Sequence, residues 1–339
     1  MKIIIERNIP YIAGALERHG EVAYLPAGEI TREAVADADA LFVRTRTRCN
    51  ADLLEGSRVR FIATATIGTD HIDLDYCRSR GITVVNAPGC NAPAVAQYVF
   101  AVIGSRFAGE DLGKLCLGVV GVGNVGSIVA RWGERLGMTV LRCDPPRMRR
   151  EGGDFVDLSR IAERADIITF HTPLNRSGID ATYHLADADL LGRLSHCRLL
   201  INSSRGEVVD NAALAAAIGK TVESAAIDCW EGEPAIDRDL LAKAFVATPH
   251  IAGYSSEGKK RATAMTLEAF ARHFGVDVDA IPTIDAPARG ADIDSIEQVT
   301  ATYNPLADTK LLRTSPDQFE NLRNNYNLRH EVVTAGNKK

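Results

Sequence analysis

Cys116-Leu-Gly-Val-Val-Gly121-Val-Gly123-Asn-Val-Gly126 is the stretch on which the fold turns. Cys116 to Val120 is a short apolar run of the kind a buried parallel strand shows, and Ser127 to Leu136 takes up helical spacing. The glycines therefore join a strand to a helix. In that setting Gly121 permits the tight turn, Gly123 lets the backbone approach a pyrophosphate, and Gly126 lets the helix pack on the strand. The helix N-terminus adds unpaired N–H groups and partial positive charge, so Asn124 and Val125 join the candidate dinucleotide contacts. A second apolar strand, Thr139 to Cys143, ends at Asp144, 18 residues beyond Gly126. That is close to the spacing of the acid that binds the ribose hydroxyls, and a carboxylate there repels a 2′-phosphate, which favours NAD over NADP. Arg142 and Arg147 flank it and pull the other way, because an Arg can accommodate the extra phosphate.

Working outward, further strand readings follow at Asp166 to Phe170, Arg198 to Asn202, Ser224 to Ile227 and Phe245 to Ala247, separated by helical or polar stretches. This alternation predicts an α/β doubly wound parallel sheet of Rossmann type. Ligands bind beyond the carboxyl ends of such strands. Those ends carry His171-Thr172-Pro173, Ser203-Ser204-Arg205-Gly206, Asp228-Cys229-Trp230 and Thr248-Pro249-His250.

The Gly-rich loop, His171-Thr172-Pro173-Leu174, Asn202-x-x-Arg205-Gly206, Glu233-Pro234 and Thr248-Pro249-His250-Ile251 stand in this order, and the chain thereby resembles the D-2-hydroxyacid dehydrogenases. The resemblance implies an NAD-dependent enzyme in which Arg205 binds substrate, His250 is the acid/base and Glu233 is its partner. It also implies Thr172, Ser204, Asp228 and Gly253 as cofactor contacts. Elementary chemistry supports the catalytic trio independently. A guanidinium holds a carboxylate through two parallel charge-assisted bonds. Imidazole, with an ordinary pKa of about 6.5, suits removal of a hydroxyl proton near neutrality. A neighbouring carboxylate fixes its tautomer and favours its charged form. Glu231 competes with Glu233 for that place, and the adjacent Pro234 decides for Glu233. The other histidines, His184 among them, show no partner pattern.

Ala63-Thr-Ala-Thr66, Gly68-Thr-Asp-His71, Ala87-Pro-Gly-Cys-Asn-Ala92, Trp230-Glu-Gly-Glu-Pro234, Ile251-Ala-Gly-Tyr254 and Phe319-Glu-Asn-Leu-Arg-Asn-Asn-Tyr326 narrow the resemblance to one branch of the family. It covers residues 1 to about 330. The branch implies a small phosphorylated 2-hydroxy acid as substrate, with Thr45, Thr66 and Tyr254 as contacts; Thr45 stands where the family commonly has Ser. Ala38 to Val43 reads as a buried strand running on into Arg44-Thr-Arg-Thr-Arg48, where period-two alternation puts three guanidinium groups on one face. Against a net charge of −5 that local positive charge is not a product of composition, so Arg44 and Arg46 are phosphate candidates. Two other readings stay open: a phosphoglycerate-type dehydrogenase, and a non-catalytic NAD-sensing corepressor on the same fold.

With 339 residues, 46% apolar and 24% charged, the chain has length for two domains or slightly more. Residues 1–93 repeat a smaller strand–helix alternation, with strands at Ile3–Glu6, Glu21–Tyr24, Ala40–Val43, Phe61–Thr64 and Thr83–Val85. By resemblance this is a flavodoxin-like substrate lobe, completed by 254–275, with the NAD domain at 94–253 and a C-terminal dimerisation domain at 276–339. A helix at Ala94–Ser105 should cross into the NAD domain, and one near Glu257–Phe274 should close the first lobe. The connector from Gly275 is rich in Pro and Asp, with helical candidates at Ile293–Tyr303 and Pro316–Tyr326, and the C-terminal part is shorter than in the relatives. A homodimer is expected. Charges interrupt the first apolar run at Glu6 and Arg7, and no 18-residue apolar stretch occurs, so neither a secretory leader nor a membrane span is expected. Seven scattered cysteines lack metal or disulfide spacing, which fits a reducing cytoplasm and no metal. A pI near 5.9 without a basic stripe argues against nucleic acid.

Overall fold

A computed structural model describes residues 1–278, 281–284 and 289–332. Asp279, Asp285 and Pro287 of the connector, and the tail Gly336-Asn337-Lys338-Lys339, lie outside the described residues. The chain forms two compact units, Met1–Asn91 with Ser256–Ala288, and Ala92–Ser255 with Arg289–Lys339.

The first unit is built on five parallel strands, β1 (Lys2–Glu6), β2 (Glu21–Leu25), β3 (Ala40–Val43), β4 (Phe61–Thr64) and β5 (Thr83–Val85), in the order β2-β1-β3-β4-β5. That is the flavodoxin-like order, whose direction reverses between β1 and β3. Alternate residues serve opposite faces: Ile3 and Ile5 lie in one apolar cluster and Ile4 in the other. Helix Ser256–Phe274 seals the first of these, its Phe270 ring 5.6 Å from Phe42 and 5.9 Å from Phe61.

The second unit holds six parallel strands, β6 (Cys116–Val120), β7 (Thr139–Cys143), β8 (Ile167–Phe170), β9 (Leu199–Asn202), β10 (Ala225–Ile227) and β11 (Val246–Ala247), in the order β11-β10-β9-β8-β6-β7. The direction of strand addition reverses between β6 and β8, so the Gly-rich loop and His171-Thr172 meet at that reversal. Helix Ala92–Arg106 is buried over most of its length against one face, and Phe100 and Trp132 pack with ring centroids 5.6 Å apart.

The C-terminal segment does not stand as a third unit. Ile293, Val299 and Tyr303 enter one apolar cluster of the second unit, and Leu312 and Phe319 enter the other. Trp132 Nε1 donates to the Ala291 carbonyl at 2.9 Å, and Arg135 Nε to that of Ile293 at 2.8 Å. Helix Pro305–Thr314, which hydrophobic periodicity did not reveal, packs on β11, and its Thr309 hydroxyl accepts the Ala247 N–H at 3.1 Å. An edge-strand donor is thereby satisfied. The described residues up to Ile284 in the connector belong to the first compact unit and those from Arg289 onward to the second.

Candidate active site

Each glycine of the loop has its own physical reason. Gly121 takes φ 86°, and a Cβ there would lie 2.8 Å from the His171 carbonyl. At Gly126 a Cβ would come within 2.0 Å of the Gly121 carbonyl oxygen, so only glycine lets the helix sit against the strand end. Gly123 differs, because a Cβ there would meet nothing within 4 Å. Space above the start of helix Asn124–Arg135, not protein packing, is what a side chain at 123 would fill. The helix begins three residues earlier than its apolar spacing suggests because Gly123 itself is the N-cap. Gly126→Ala is therefore expected to cost about 3 kcal/mol of stability. Gly123→Ala should leave the melting temperature near the parent value and weaken NAD binding about tenfold or more, read by titration calorimetry.

Asp144 closes this loop. Its Oδ2 accepts the Val122 N–H at 2.8 Å and its Oδ1 caps helix Pro145–Glu151 through the Arg147 N–H at 3.0 Å. Arg147, meanwhile, donates through Nη1 to the Val122 carbonyl at 2.6 Å and pairs with Glu151. The Thr172 hydroxyl is buried with no hydrogen-bond partner among the described residues. An orphaned hydroxyl, an open Gly123 and a helix N-terminus together fit a dinucleotide at Gly121–Gly126, Asp144 and Thr172. His171 beside it is driven down to about 3 by desolvation and stays neutral.

The ends of β9, β10 and β11 build the second half. Asn202 is fully buried and holds the Arg205 turn: its Nδ2 donates to the Arg205 carbonyl at 2.9 Å, and its Oδ1 accepts the Ser204 hydroxyl at 2.9 Å. Arg205 Nη1 donates to the Ser204 carbonyl at 2.9 Å. Gly206 presses on the next strand end, where a Cβ would lie 2.0 Å from the Trp230 carbonyl oxygen. That contact ties Arg205 to the segment leading to Glu233. Glu233 accepts the Trp230 N–H at 2.8 Å and receives His250 Nδ1 at 2.8 Å through Oε2 and 3.1 Å through Oε1. Burial pushes the Glu233 carboxyl up, but the His250 charge and hydrogen bond, the Trp230 N–H and the Arg323 charge outweigh it and hold the acid below its ordinary value.

His250 sits at φ 57°, a conformation uncommon outside glycine and frequent at functional sites. Asp228 holds it there. The Asp228 carboxylate is 1% exposed and accepts the Thr248 hydroxyl at 2.7 Å, the Ile251 N–H at 2.8 Å and the Ala252 N–H at 2.9 Å, while its carbonyl accepts the His250 N–H at 2.9 Å. Burial nevertheless raises the Asp228 carboxyl above its ordinary value. Three donors thus engage, inside the protein, the carboxylate expected at the cofactor. Ser204, another expected cofactor contact, is likewise buried with its hydroxyl on Asn202, whereas Gly253 is half-buried.

The residues expected at the substrate divide between the units. Tyr254 belongs to the second, while Arg44, Thr45, Arg46 and Thr66 stand at the carboxyl ends of β3 and β4 in the first. The alternating face of Arg44, Arg46 and Arg48 does not form, because β3 ends at Val43 and a turn follows. The cause is Glu6, a buried carboxylate at the end of β1 that accepts the Arg44 N–H at 2.8 Å and the Thr47 hydroxyl at 3.2 Å. Folding the chain around that acid breaks the strand. Thr45 and Arg46 are exposed on the turn, and Thr66 shares a 2.7 Å hydrogen bond with Thr64.

Three features escaped sequence reasoning. Cys229 brings its sulfur within 4.8 Å of the Glu233 and His250 ligand atoms; burial raises its thiol well above the ordinary value, which keeps it protonated. His184 does have a partner, since its Nε2 lies 2.6 Å from Glu231 Oε1, and Glu231 Oε2 also accepts the Asn211 N–H at 2.9 Å. This engagement removes Glu231 as a competitor for His250. Finally, Arg323 reaches the Tyr254 hydroxyl from a segment whose sequence carried no catalytic signal.

Residues 96–252 match the family described as D-isomer specific 2-hydroxyacid dehydrogenase, NAD binding domain. The erythronate-4-phosphate dehydrogenase of Bacteroides thetaiotaomicron is 48% identical over 340 residues, covering 98% of this chain and 97% of the relative. That of Pseudomonas fluorescens strain Pf-5 is 41% identical over 354 residues, covering 98% and 93%. Among solved structures, the TT0316 protein of Thermus thermophilus superposes with a TM-score of 0.71 at 26% identity, over 82% of this chain and 98% of that one. The chain belongs to the D-isomer-specific 2-hydroxyacid dehydrogenase family, on its erythronate-4-phosphate dehydrogenase branch.

Proposed function

We propose that this chain oxidises the 2-hydroxyl of 4-phospho-D-erythronate to (R)-3-hydroxy-2-oxo-4-phosphooxybutanoate with NAD, a step toward pyridoxal 5′-phosphate. The observation that carries the reading is the His250–Glu233 pair in the same unit as a dinucleotide-type loop, both at the carboxyl ends of strands of one parallel sheet. Glu233, held ionised, accepts the Nδ1 proton and so leaves Nε2 of His250 as the basic nitrogen. That nitrogen takes the substrate's hydroxyl proton and returns it in the reverse direction. Arg205, braced on Ser204 and Asn202, holds the C1 carboxylate and polarises the neighbouring oxygen. Thr45, Thr66 and Tyr254 contact the substrate, with Arg44 and Arg46 adding positive charge. The chemistry that NAD supplies when bound at Gly121–Gly126, Asp144 and Thr172 is acceptance of the C2 hydride. A homodimer in the cytoplasm completes the reading; no helix among the described residues is long and apolar enough to cross a membrane.

NADH formation with 4-phosphoerythronate tests this directly. Turnover of 3-phosphoglycerate in its place would establish the other phosphorylated substrate, and NAD binding without turnover of either would establish a sensor. The lowered Glu233 value also has a pH consequence. Its ionised form is favoured by folding, so its contribution to stability is complete above its ordinary value of 4.5 and is lost as pH falls through the lower folded value. The destabilisation caused by Glu233→Gln, measured by denaturant titration, should therefore shrink steadily below pH 4.5. A constant penalty down to pH 3 would contradict the charge assignment.

A further inference from the structure

The C-terminal segment brings a second guanidinium to the site. Helix Phe319–Asn324 is pinned by Phe319, fully buried in the same apolar cluster as Trp230 and Leu240. From that helix Arg323 donates through Nε to the Tyr254 hydroxyl at 3.3 Å, and the rings of Tyr254 and Tyr326 meet edge to face at 6.2 Å. Glu320 approaches Arg323 Nη1 at 3.7 Å, beyond hydrogen-bond reach, and neither terminal nitrogen of Arg323 has a hydrogen bond among the described residues. The side chain is nonetheless only 17% exposed. A guanidinium anchored at one edge and withdrawn from bulk water leaves its fork for an anion.

Its contact with Tyr254 sets the guanidinium within electrostatic range of the His250 pair. The Arg323 charge acts on both Glu233 and Cys229, which flank His250. Six residues onward, beyond the helix, the buried Arg329 donates to the carbonyls of Ala94, Ile251 and Ala252, so the segment is fastened to the loop that carries His250. The hydrogen bond from Arg323 Nε sets the guanidinium against the Tyr254 hydroxyl, four residues beyond His250. A substrate with a carboxylate at one end and a phosphate at the other needs two cationic sites. Arg205 serves the first.

We propose that Arg323, paired with Tyr254, binds the terminal phosphate and so sets the preference for a phosphorylated 2-hydroxy acid. This rests on the substrate reading above. The C-terminal segment is then part of the catalytic site of its own chain, as a specificity element.

The test compares Arg323→Met and Arg323→Lys with the parent protein. For Arg323→Met, kcat/KM on 4-phosphoerythronate should fall about 100-fold, and the loss should exceed that on unphosphorylated D-erythronate at least roughly tenfold. Arg323→Lys should recover part of it through the retained charge. Inorganic phosphate, used as a probe, should inhibit the parent competitively and should lose that inhibition in Arg323→Met. Equal losses on both substrates, or unchanged phosphate inhibition, overturn the proposal; melting temperature and NAD affinity report any loss of folding. If the parent protein fails to oxidise 4-phosphoerythronate, the substrate reading falls, while inorganic phosphate binding measured directly by titration calorimetry, present in the parent and lost in Arg323→Met, still judges Arg323.

Discussion

His250→Ala is expected to lower kcat about 10³- to 10⁴-fold while NAD affinity stays within roughly twofold of the parent value. The imidazole is the group left to move the hydroxyl proton, since Glu233 occupies Nδ1 and the thiol of Cys229 is held protonated. Its side chain is not needed to hold the loop. Asp228 does that through the Thr248 hydroxyl and the backbone N–H groups of Ile251 and Ala252. Because His250 occupies φ 57°, alanine there adds backbone strain of its own. His250→Asn, which tolerates that conformation and cannot serve as the base, separates the two effects. Both variants should lose turnover, and the Asn variant should keep more stability. Loss of NAD binding along with activity in both would show that His250 is structural instead.

Gly206→Ala should destabilise the protein by about 3 kcal/mol or more and remove most activity in whatever fraction folds. A methyl group at 206 would lie 2.0 Å from the Trp230 carbonyl oxygen and 2.6 Å from the Glu231 nitrogen. Backbone cannot swing aside as a flexible side chain can. The Trp230–Glu231 peptide would have to retreat, carrying with it the Trp230 N–H that binds Glu233. Arg205 and Glu233 would separate at the same stroke. Thermal unfolding and kcat measured at saturating NAD check both parts. A variant as stable and as active as the parent would mean that the two strand ends are not held in register by this contact.

How much of this was legible in the residues varies with the range of the interaction. The strand–loop–helix at Gly121–Gly126 was legible because most of its requirements are local: the turn at Gly121 and the approach of Gly126 to the Gly121 carbonyl are decided within a few residues, although the helix starts at Asn124, ahead of its apolar spacing. Helix Pro305–Thr314 carried an Asn304 cap and Pro305 at its first position, yet it went unread, its weak apolar periodicity giving no separate signal. The Arg44–Arg48 segment misled for a different reason. Its alternation is real in sequence, but Glu6, 38 residues earlier, claims the Arg44 N–H and turns the chain. His184 was passed over because its partner, Glu231, is 47 residues away.

From the sequence alone came the two α/β units with parallel sheets and the strand–glycine loop–helix, because periodicity and turn residues encode contacts within one strand, turn or helix, while the resemblance to the family is what put forward Arg205, Glu233 and His250. Tertiary structure decided that His184 engages Glu231, what Asp228 holds, and that Arg323 stands at Tyr254. Those pairings join residues from separate loops and, for Arg323, from a C-terminal helix, and only tertiary packing brings such residues within hydrogen-bond distance.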